Sequence, residues 1–232
     1  MGSRFILVRH GETDFNAECR FLGSIDKPLS DKGLKQISYL QQHMQQTHFD
    51  RIYTSPFIRA RQTAQAMQAG RNIEIIDDSG LREICCGEWE GLNGQQVEMR
   101  WPGMLKLWNE QPDKLKMPGG DTFHEVSERV FEAFWRLVKK ERGRTIGIAS
   151  HMICIELLLM KLSGAELAEI WNQKQLDNTS VSVIDIDDND SIHIISWGDN
   201  SHLPPELRCS VPPVAGRHKP AASAAKCVTD RR

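Results

Sequence analysis

The chain has 232 residues, 40% of them hydrophobic and 26% charged, with a formal net charge of −2. That is enough for one substantial domain with an ordinary core, and the balance is that of a folded enzyme rather than a disordered chain. No apolar run approaches a membrane span, and near the amino terminus only 5–8 is apolar before charges intervene. No membrane contact and no secretory signal are therefore expected, and the expected location is cytoplasmic.

Phe5-Ile6-Leu7-Val8 is a continuous apolar run of the kind buried on both faces of a sheet, and Arg9-His10-Gly11-Glu12-Thr13 follows it at once. Ligands of open α/β sheets sit beyond the carboxyl ends of the strands, so this Arg-His pair emerges where chemistry is done. Arg9 brings fixed positive charge, and His10 brings a nitrogen that can attack or shuttle protons near neutral pH. Ser30 can cap a helix with Leu34, Ile37, Leu40 and Met44 at helical spacing. Arg51-Ile52-Tyr53-Thr54 reads as a second strand ended by Ser55-Pro56, with a helix from Phe57 to about Ala69 after it, and 73–76 reads as a third strand. The order β-α-β-α-β predicts a parallel sheet wrapped by helices.

The segment 92–120 is less regular, with Trp101, Trp108 and three methionines among prolines and glycines. It reads as an insertion lying over the strand ends, and Trp89, Trp101 and Trp108 could line a pocket there or simply fill a core. Thr122-Phe123-His124-Glu125 is a capping box for a helix burying Val126, Val130, Phe134, Leu137 and Val138. Thr145-Ile146-Gly147-Ile148-Ala149 is another buried strand, ending at Ser150-His151 and followed by an apolar helix through Met160. Val181 to Ile186 and Ile192 to Trp197 read as an antiparallel hairpin at the sheet edge, with Asp187-Asp188-Asn189-Asp190 as its solvated turn rather than a calcium loop. The fold class is thus α/β, three layers around a mostly parallel sheet, with residues 1–203 as one catalytic domain.

From Pro204 onward the composition changes: five of the ten prolines, no aromatic residue, and six Lys/Arg against two Asp/Glu. A disordered basic tail over 204–232 is expected. Its +4 leaves −6 on residues 1–203, which argues against a nucleic-acid partner. The six cysteines show no C-x-x-C spacing and the histidines add no zinc pattern, so reduced thiols and no metal site are expected. Without export, the Asn-x-Ser matches at Asn178 and Asn189 carry no meaning for glycosylation.

Three strand ends carry polar groups: Arg9 and His10, Ser55 to Arg59, and Ser150-His151. Parallel strands deliver them to one side of the sheet, where two arginines and two histidines make a site for a doubly charged oxyanion such as phosphate. Arg59 in the first turn of its helix adds free backbone N–H groups to its own charge. Glu83, in Leu81-Arg82-Glu83, is the candidate acid, because a carboxyl beside bound phosphate feels negative charge and desolvation that keep it protonated. Glu88 and Glu90 read as surface groups.

These residues resemble the histidine phosphatase superfamily, which also contains the cofactor-dependent phosphoglycerate mutases. Arg9-His10-Gly11-Glu12-Thr13 with Asn16 looks like its nucleophile motif, and Ser55-Pro56 with Arg59-Ala60-x-Gln62-Thr63-Ala64 like its second arginine motif. Glu83-x-x-x-Gly87-x-Trp89-Glu90-Gly91 resembles its acid motif and Ser150-His151 its second histidine; the likeness spans Phe5 to about Trp197. The resemblance implies a cofactor-free, metal-free phosphatase of a small phosphorylated metabolite. In that reading His10 becomes a phosphohistidine, Glu83 is general acid and base, and Arg9, Asn16, Arg59 and His151 hold the phosphate. Met152 departs from the glycine that relatives often carry after the second histidine.

A mutase and a phospho-ligand-binding scaffold without turnover are the alternatives. Relatives that act as mutases carry an Arg-Tyr-Gly-type sequence after the acid, where this chain has Ile84-Cys85-Cys86. The short Gly-Glu-Trp-Glu-Gly form is similar to that of small-molecule phosphatases such as α-ribazole phosphatase and broad-specificity acid phosphatases. The edge hairpin or the insertion could serve a homodimer.

Overall fold

The computed structural model describes residues 2–208. In chain order the main elements are β1 (Ser3–Arg9), α1 (Asp14–Ala17), α2 (Asp31–Met44), β2 (Arg51–Thr54), α3 (Ile58–Gln68), β3 (Ile75–Asp77), α4 (Gly94–Arg100), α5 (Met104–Glu110), α6 (Phe123–Lys140), β4 (Thr145–Ser150), α7 (Met152–Ser163), β5 (Val181–Ile186) and β6 (Ile192–Asp199). One six-stranded sheet has the order β3-β2-β4-β1-β5-β6. The first four of these are mutually parallel, and β5 and β6 run antiparallel at one edge.

Strand alternation divides the core into two layers. Phe5, Leu7, Tyr53, Ile146 and Ile148 point to the face covered by Val130, Phe134 and Leu137 of α6 and Ile155, Leu158 and Leu159 of α7. Ile6, Val8, Ile52 and Ala149 point the other way, onto Leu40 and Met44 of α2 and Ala64 and Met67 of α3. A run apolar at every position therefore serves both faces, as parallel strands between helices require. The α6 capping box forms as expected: Glu125 N donates to Thr122 Oγ1 at 3.2 Å, and the Glu125 carboxylate accepts from Thr122 N at 2.7 Å.

Several expectations are corrected. Leu34 is 45% exposed, because the buried stripe of α2 runs through Gly33, Gln36, Leu40 and Met44. The third strand begins at Ile75, not at 73. The segment 92–120 is largely helical, holding α4, α5 and a 3-10 turn at Pro112–Lys114. With Trp89, Phe123, Ile153, Leu157 and Ile170 it encloses an aromatic core away from the sheet, in which Trp89 and Trp108 are buried and pack on Phe21. Both tryptophans are thus core, and the trade of a pocket wall for burial is the one their large apolar area favours. The segment expected to be a tail enters the described residues at 204–208. Those residues make a 3-10 turn at Pro205–Leu207 that docks on α2, where Gln36 Nε2 donates to Leu207 O at 2.7 Å and Lys32 Nζ to Arg208 O at 3.4 Å. The rest of that segment, with Cys209 and Cys227, lies outside the described residues. Cys19, Cys85, Cys86 and Cys154 are free thiols. Among the described residues no helix is long and apolar enough to cross a membrane.

Candidate active site

Register alone brings the polar strand ends together. β1 lies beside β4 with Arg9 opposite Ser150, and β2 lies on the other side of β4 with Thr54 opposite Ala149. The pairing continues one step past the strands, through His10 N to Ser150 O at 2.9 Å and Ser55 N to Ala149 O at 3.0 Å. His10, His151 and Ser55 therefore leave three adjacent strands at one level, and the two imidazole rings stand edge to face with centroids 5.1 Å apart.

His10 is buried, and its Nδ1 lies 2.7 Å from Gly11 O. A carbonyl can only accept, so Nδ1 carries the hydrogen and Nε2 keeps its lone pair. Burial first, then the charges of Arg59 and Arg9, hold the His10 pKa well below the ordinary histidine value, so the ring is neutral at neutral pH. His151 is held low for the same first reason, with Arg59, His10 and Arg9 adding to it. Its Nδ1 accepts from Arg59 Nε at 3.3 Å, which leaves Nε2–H to donate to Ser55 Oγ at 2.8 Å.

Arg59, fully buried in the first turn of α3, is clamped by loop carbonyls: Nη1 donates to Ile25 O at 2.8 Å and Nη2 to Gly23 O at 2.9 Å, and the guanidinium lies over the Phe57 ring. Burial lowers its pKa to about 10, still charged at neutral pH. The loop that clamps it is itself pinned by Glu90, whose Oε1 accepts from Ser24 N at 2.7 Å and from Cys86 N at 3.1 Å. Glu90, expected at the surface, instead ties the Arg59 loop to the segment carrying Glu83. Arg9 is buried at the end of β1 and donates through Nη1 to Leu176 O at 2.5 Å.

Glu83 sits half-buried at the amino end of α7, where its carboxylate accepts from Ile84 N at 3.0 Å and Ile153 N at 3.4 Å. Desolvation raises its pKa above the carboxylate norm, against the pull of those N–H groups, Arg59 and Arg9. Met152 is the first residue of α7 and packs sideways against both cores on that face. Asn16 stands apart from this network: its Oδ1 accepts from Thr13 N and Oγ1 and closes the capping box of α1, leaving its amide hydrogens as donors.

Some supporting residues escaped the reading of the chain. The stretch before β5 cradles the loop that follows β1, with Asn178 Nδ2 donating to His10 O at 2.9 Å and Thr179 N to Arg9 O at 3.0 Å. Thr179 is fully buried at φ +61, a costly conformation for a β-branched residue, and its hydroxyl meets His202 Nε2 at 3.2 Å. On the other side Glu12 N donates to Gln36 Oε1 at 2.8 Å and the Glu12 carboxylate pairs with Lys32 at 3.1 Å, lacing the loop to α2.

Two fixed cations, one imidazole with a directed lone pair, and one carboxyl whose pKa burial raises surround this spot. Such a set can bind a doubly charged oxyanion, attack it and protonate what leaves.

Residues 5–200 match the family described as Histidine phosphatase superfamily (branch 1). The chain is 31% identical over 200 residues to Phosphoserine phosphatase 1 of Hydrogenobacter thermophilus, spanning 86% of this chain and 94% of that protein. It is 30% identical over 207 residues to Phosphoglycerate mutase-like protein 4 of Arabidopsis thaliana, covering 87% of each. Among solved structures, Bacillus stearothermophilus YhfR superposes with a TM-score of 0.83 at 32% identity, covering 86% of this chain and 98% of that one.

Proposed function

The chain belongs to the histidine phosphatase superfamily, and from that premise we propose that it is a metal-independent phosphomonoesterase of a small phosphorylated metabolite, working through a phosphohistidine on His10. The observation that carries this reading is the Nδ1–H of His10 donated to Gly11 O, which leaves Nε2 as a free nucleophile between two arginines.

In the first step Nε2 attacks phosphorus in line. The N–P bond forms as the ester P–O bond breaks, and the proton on Glu83 passes to the departing oxygen. In the second, water attacks the phosphohistidine, Glu83 takes its proton, the N–P bond breaks with its electron pair returning to Nε2, and orthophosphate leaves. Arg9 and Arg59 hold the phosphoryl oxygens, with Asn16 adding its amide hydrogens, and His151 joins them when its Nε2–H turns from Ser55 Oγ to a phosphoryl oxygen. Their charge and hydrogen bonds do the electrostatic work that bound magnesium does in many phosphoryl-transfer enzymes, which is the ground for metal independence. The relative named a phosphoserine phosphatase puts O-phospho-L-serine first among substrates to test.

The experiment is hydrolysis of p-nitrophenyl phosphate and a panel of phosphorylated metabolites in EDTA, with quenching of ³²P-labelled reactions in alkaline detergent and acid treatment of the trapped protein afterwards. Turnover with an acid-labile label, both lost in His10→Ala, is the expected result. An inert wild-type protein that binds phosphate would make it a scaffold, and isomerisation of 3-phosphoglycerate faster than phosphate release would make it a mutase.

A further inference from the structure

Four consecutive carbonyls in the segment that presents Glu83 are taken up by side chains from two other elements. Arg129 of α6 donates through Nη1 to Gly80 O at 3.1 Å and Arg82 O at 2.7 Å, and through Nη2 to Glu83 O at 3.4 Å. Ser150, the last residue of β4, donates its hydroxyl to Leu81 O at 2.8 Å. Asp121 backs the arrangement: its carboxylate lies 3.9 Å from the Arg129 Nη2, accepts from Cys85 N at 3.0 Å, and its own N donates to Cys85 O at 2.8 Å. The Arg129 side chain is 22% exposed, and its bonds to Gly80 O and Glu83 O are partly shielded from water while the one to Arg82 O lies at the surface.

We infer that Arg129 is the positioning residue of the proton donor: it sets where the Glu83 carboxyl stands by gripping the main chain on which that side chain is mounted. Only a guanidinium suits the task. It offers five donors in a rigid plane, enough to reach carbonyls of residues 80, 82 and 83 at once, whereas an ammonium is a single point. The grip also joins α6 to the β4 end that carries His151, since Ser150 holds the carbonyl between those taken by Arg129. The backbone that bears the acid is thereby referenced to the same strand that bears the second histidine. An acid displaced by about 1 Å loses most of its effect on the departing oxygen while the nucleophile, two elements away, keeps its place.

The inference rests on the phosphatase reading of this site, and the test separates the two. Phenyl phosphate and p-nitrophenyl phosphate differ in the basicity of the oxygen that leaves but hardly in shape, so the ratio of their kcat/KM values reports the need for a proton. Because both are measured on one sample, the ratio does not depend on what fraction of a variant is folded. Glu83→Gln serves as the benchmark, losing phenyl phosphate far more than p-nitrophenyl phosphate. Arg129→Met is expected to move the ratio in the same direction by about tenfold or more, within the 10²–10⁴-fold that general acids contribute. Arg129→Lys should restore part of it, and Ser150→Ala, which frees the Leu81 carbonyl and also removes a contact to the Cys154 thiol, should give a smaller shift of the same sign. A wild-type ratio in Arg129→Met and Ser150→Ala while Glu83→Gln shows its shift would overturn the inference. No shift in Glu83→Gln would instead remove the acid role from Glu83, and with it the reading on which the inference stands.

Discussion

Replacing Gly33 with alanine should weaken the protein and slow its chemistry together, although the same change in an ordinary helix would stabilise by about 0.5–1 kcal/mol. Gly33 lies in the first turn of α2, and a Cβ there would stand 2.1 Å from Glu12 O and 3.0 Å from Glu12 N and C. That carbonyl already accepts from Ser30 N at 2.9 Å and from the Ser30 hydroxyl at 3.2 Å, so it cannot simply rotate away. Reaching even the 3.0 Å limit requires a retreat of about 0.9 Å, the difference from 2.1 Å. Overpacking of this kind costs about 1–3 kcal/mol, which outweighs the helix gain and leaves a net loss of about 1 kcal/mol. The part that yields is the loop following His10, and a misplacement near 1 Å can cost about 10²-fold in rate. Urea denaturation and kcat/KM on p-nitrophenyl phosphate measure the two effects, with Ser38→Ala on the exposed face of α2 as control. Unchanged midpoint and rate in Gly33→Ala would refute the argument. Lost stability with full activity would show that α2 moves instead of the loop, and would sever the link drawn to His10.

Activity toward an alkyl phosphate should be greatest on the acid side of neutrality. It falls at low pH as His10 gains a proton at its lowered pKa and loses its lone pair, and at high pH as Glu83 loses the proton that burial helps it keep. Glu83→Gln should flatten the alkaline limb, and a kcat/KM profile of both proteins checks it. Arg59→Lys cannot serve Gly23 O, Ile25 O and His151 Nδ1 together, so inhibition by orthophosphate should weaken by about tenfold or more in a competition assay. Glu141 is fully buried and accepts from Tyr53 Oη at 2.7 Å, Arg51 Nη1 at 2.9 Å and Arg144 Nη1 at 2.6 Å. Despite its burial, hydrogen bonds from Tyr53, Arg144 and Arg51 hold its pKa below the carboxylate norm, so its contribution is present above the unfolded carboxylate pKa and lost as pH falls through the lowered one. Glu141→Gln should therefore reduce Tm by a few degrees at neutral pH, with the gap to wild type closing on acidification; a gap that widens in acid would contradict this.

The polar strand ends of the candidate site were legible because parallel strands announce themselves twice, once by an apolar run and once by the polar residues that end it. His10, Ser55 and His151 follow such runs, and the sheet order sets them side by side. Asn178 and Thr179 were missed for the converse reason. They precede a strand, and because β5 runs antiparallel its beginning, not its end, reaches the rim where Arg9 and His10 emerge. The one signal there, Asn-x-Ser, was weighed only as a modification site. Arg129 was invisible because it contacts main-chain atoms, which carry no residue identity to match a pattern. Glu90 and Leu34 fail for a simpler cause: charge suggests exposure and apolarity suggests burial, but what a loop or helix face meets is decided by tertiary neighbours. The same holds for 92–120, whose prolines and glycines punctuate helices of seven residues too short to show a clear period.

Gly87, at φ +53, has the carbonyl of Pro118 where a Cβ would lie, 2.1 Å away, and Glu88 N donates to that same carbonyl at 2.9 Å. The far end of the helical elaboration is thus dovetailed into the segment that carries Glu83. A chimera that replaces this elaboration with another family member's should splice between residues 92 and 117 and carry the host's own Pro118-Gly119-Gly120. Cut later, the transplant would break the contact that holds the Gly87 turn.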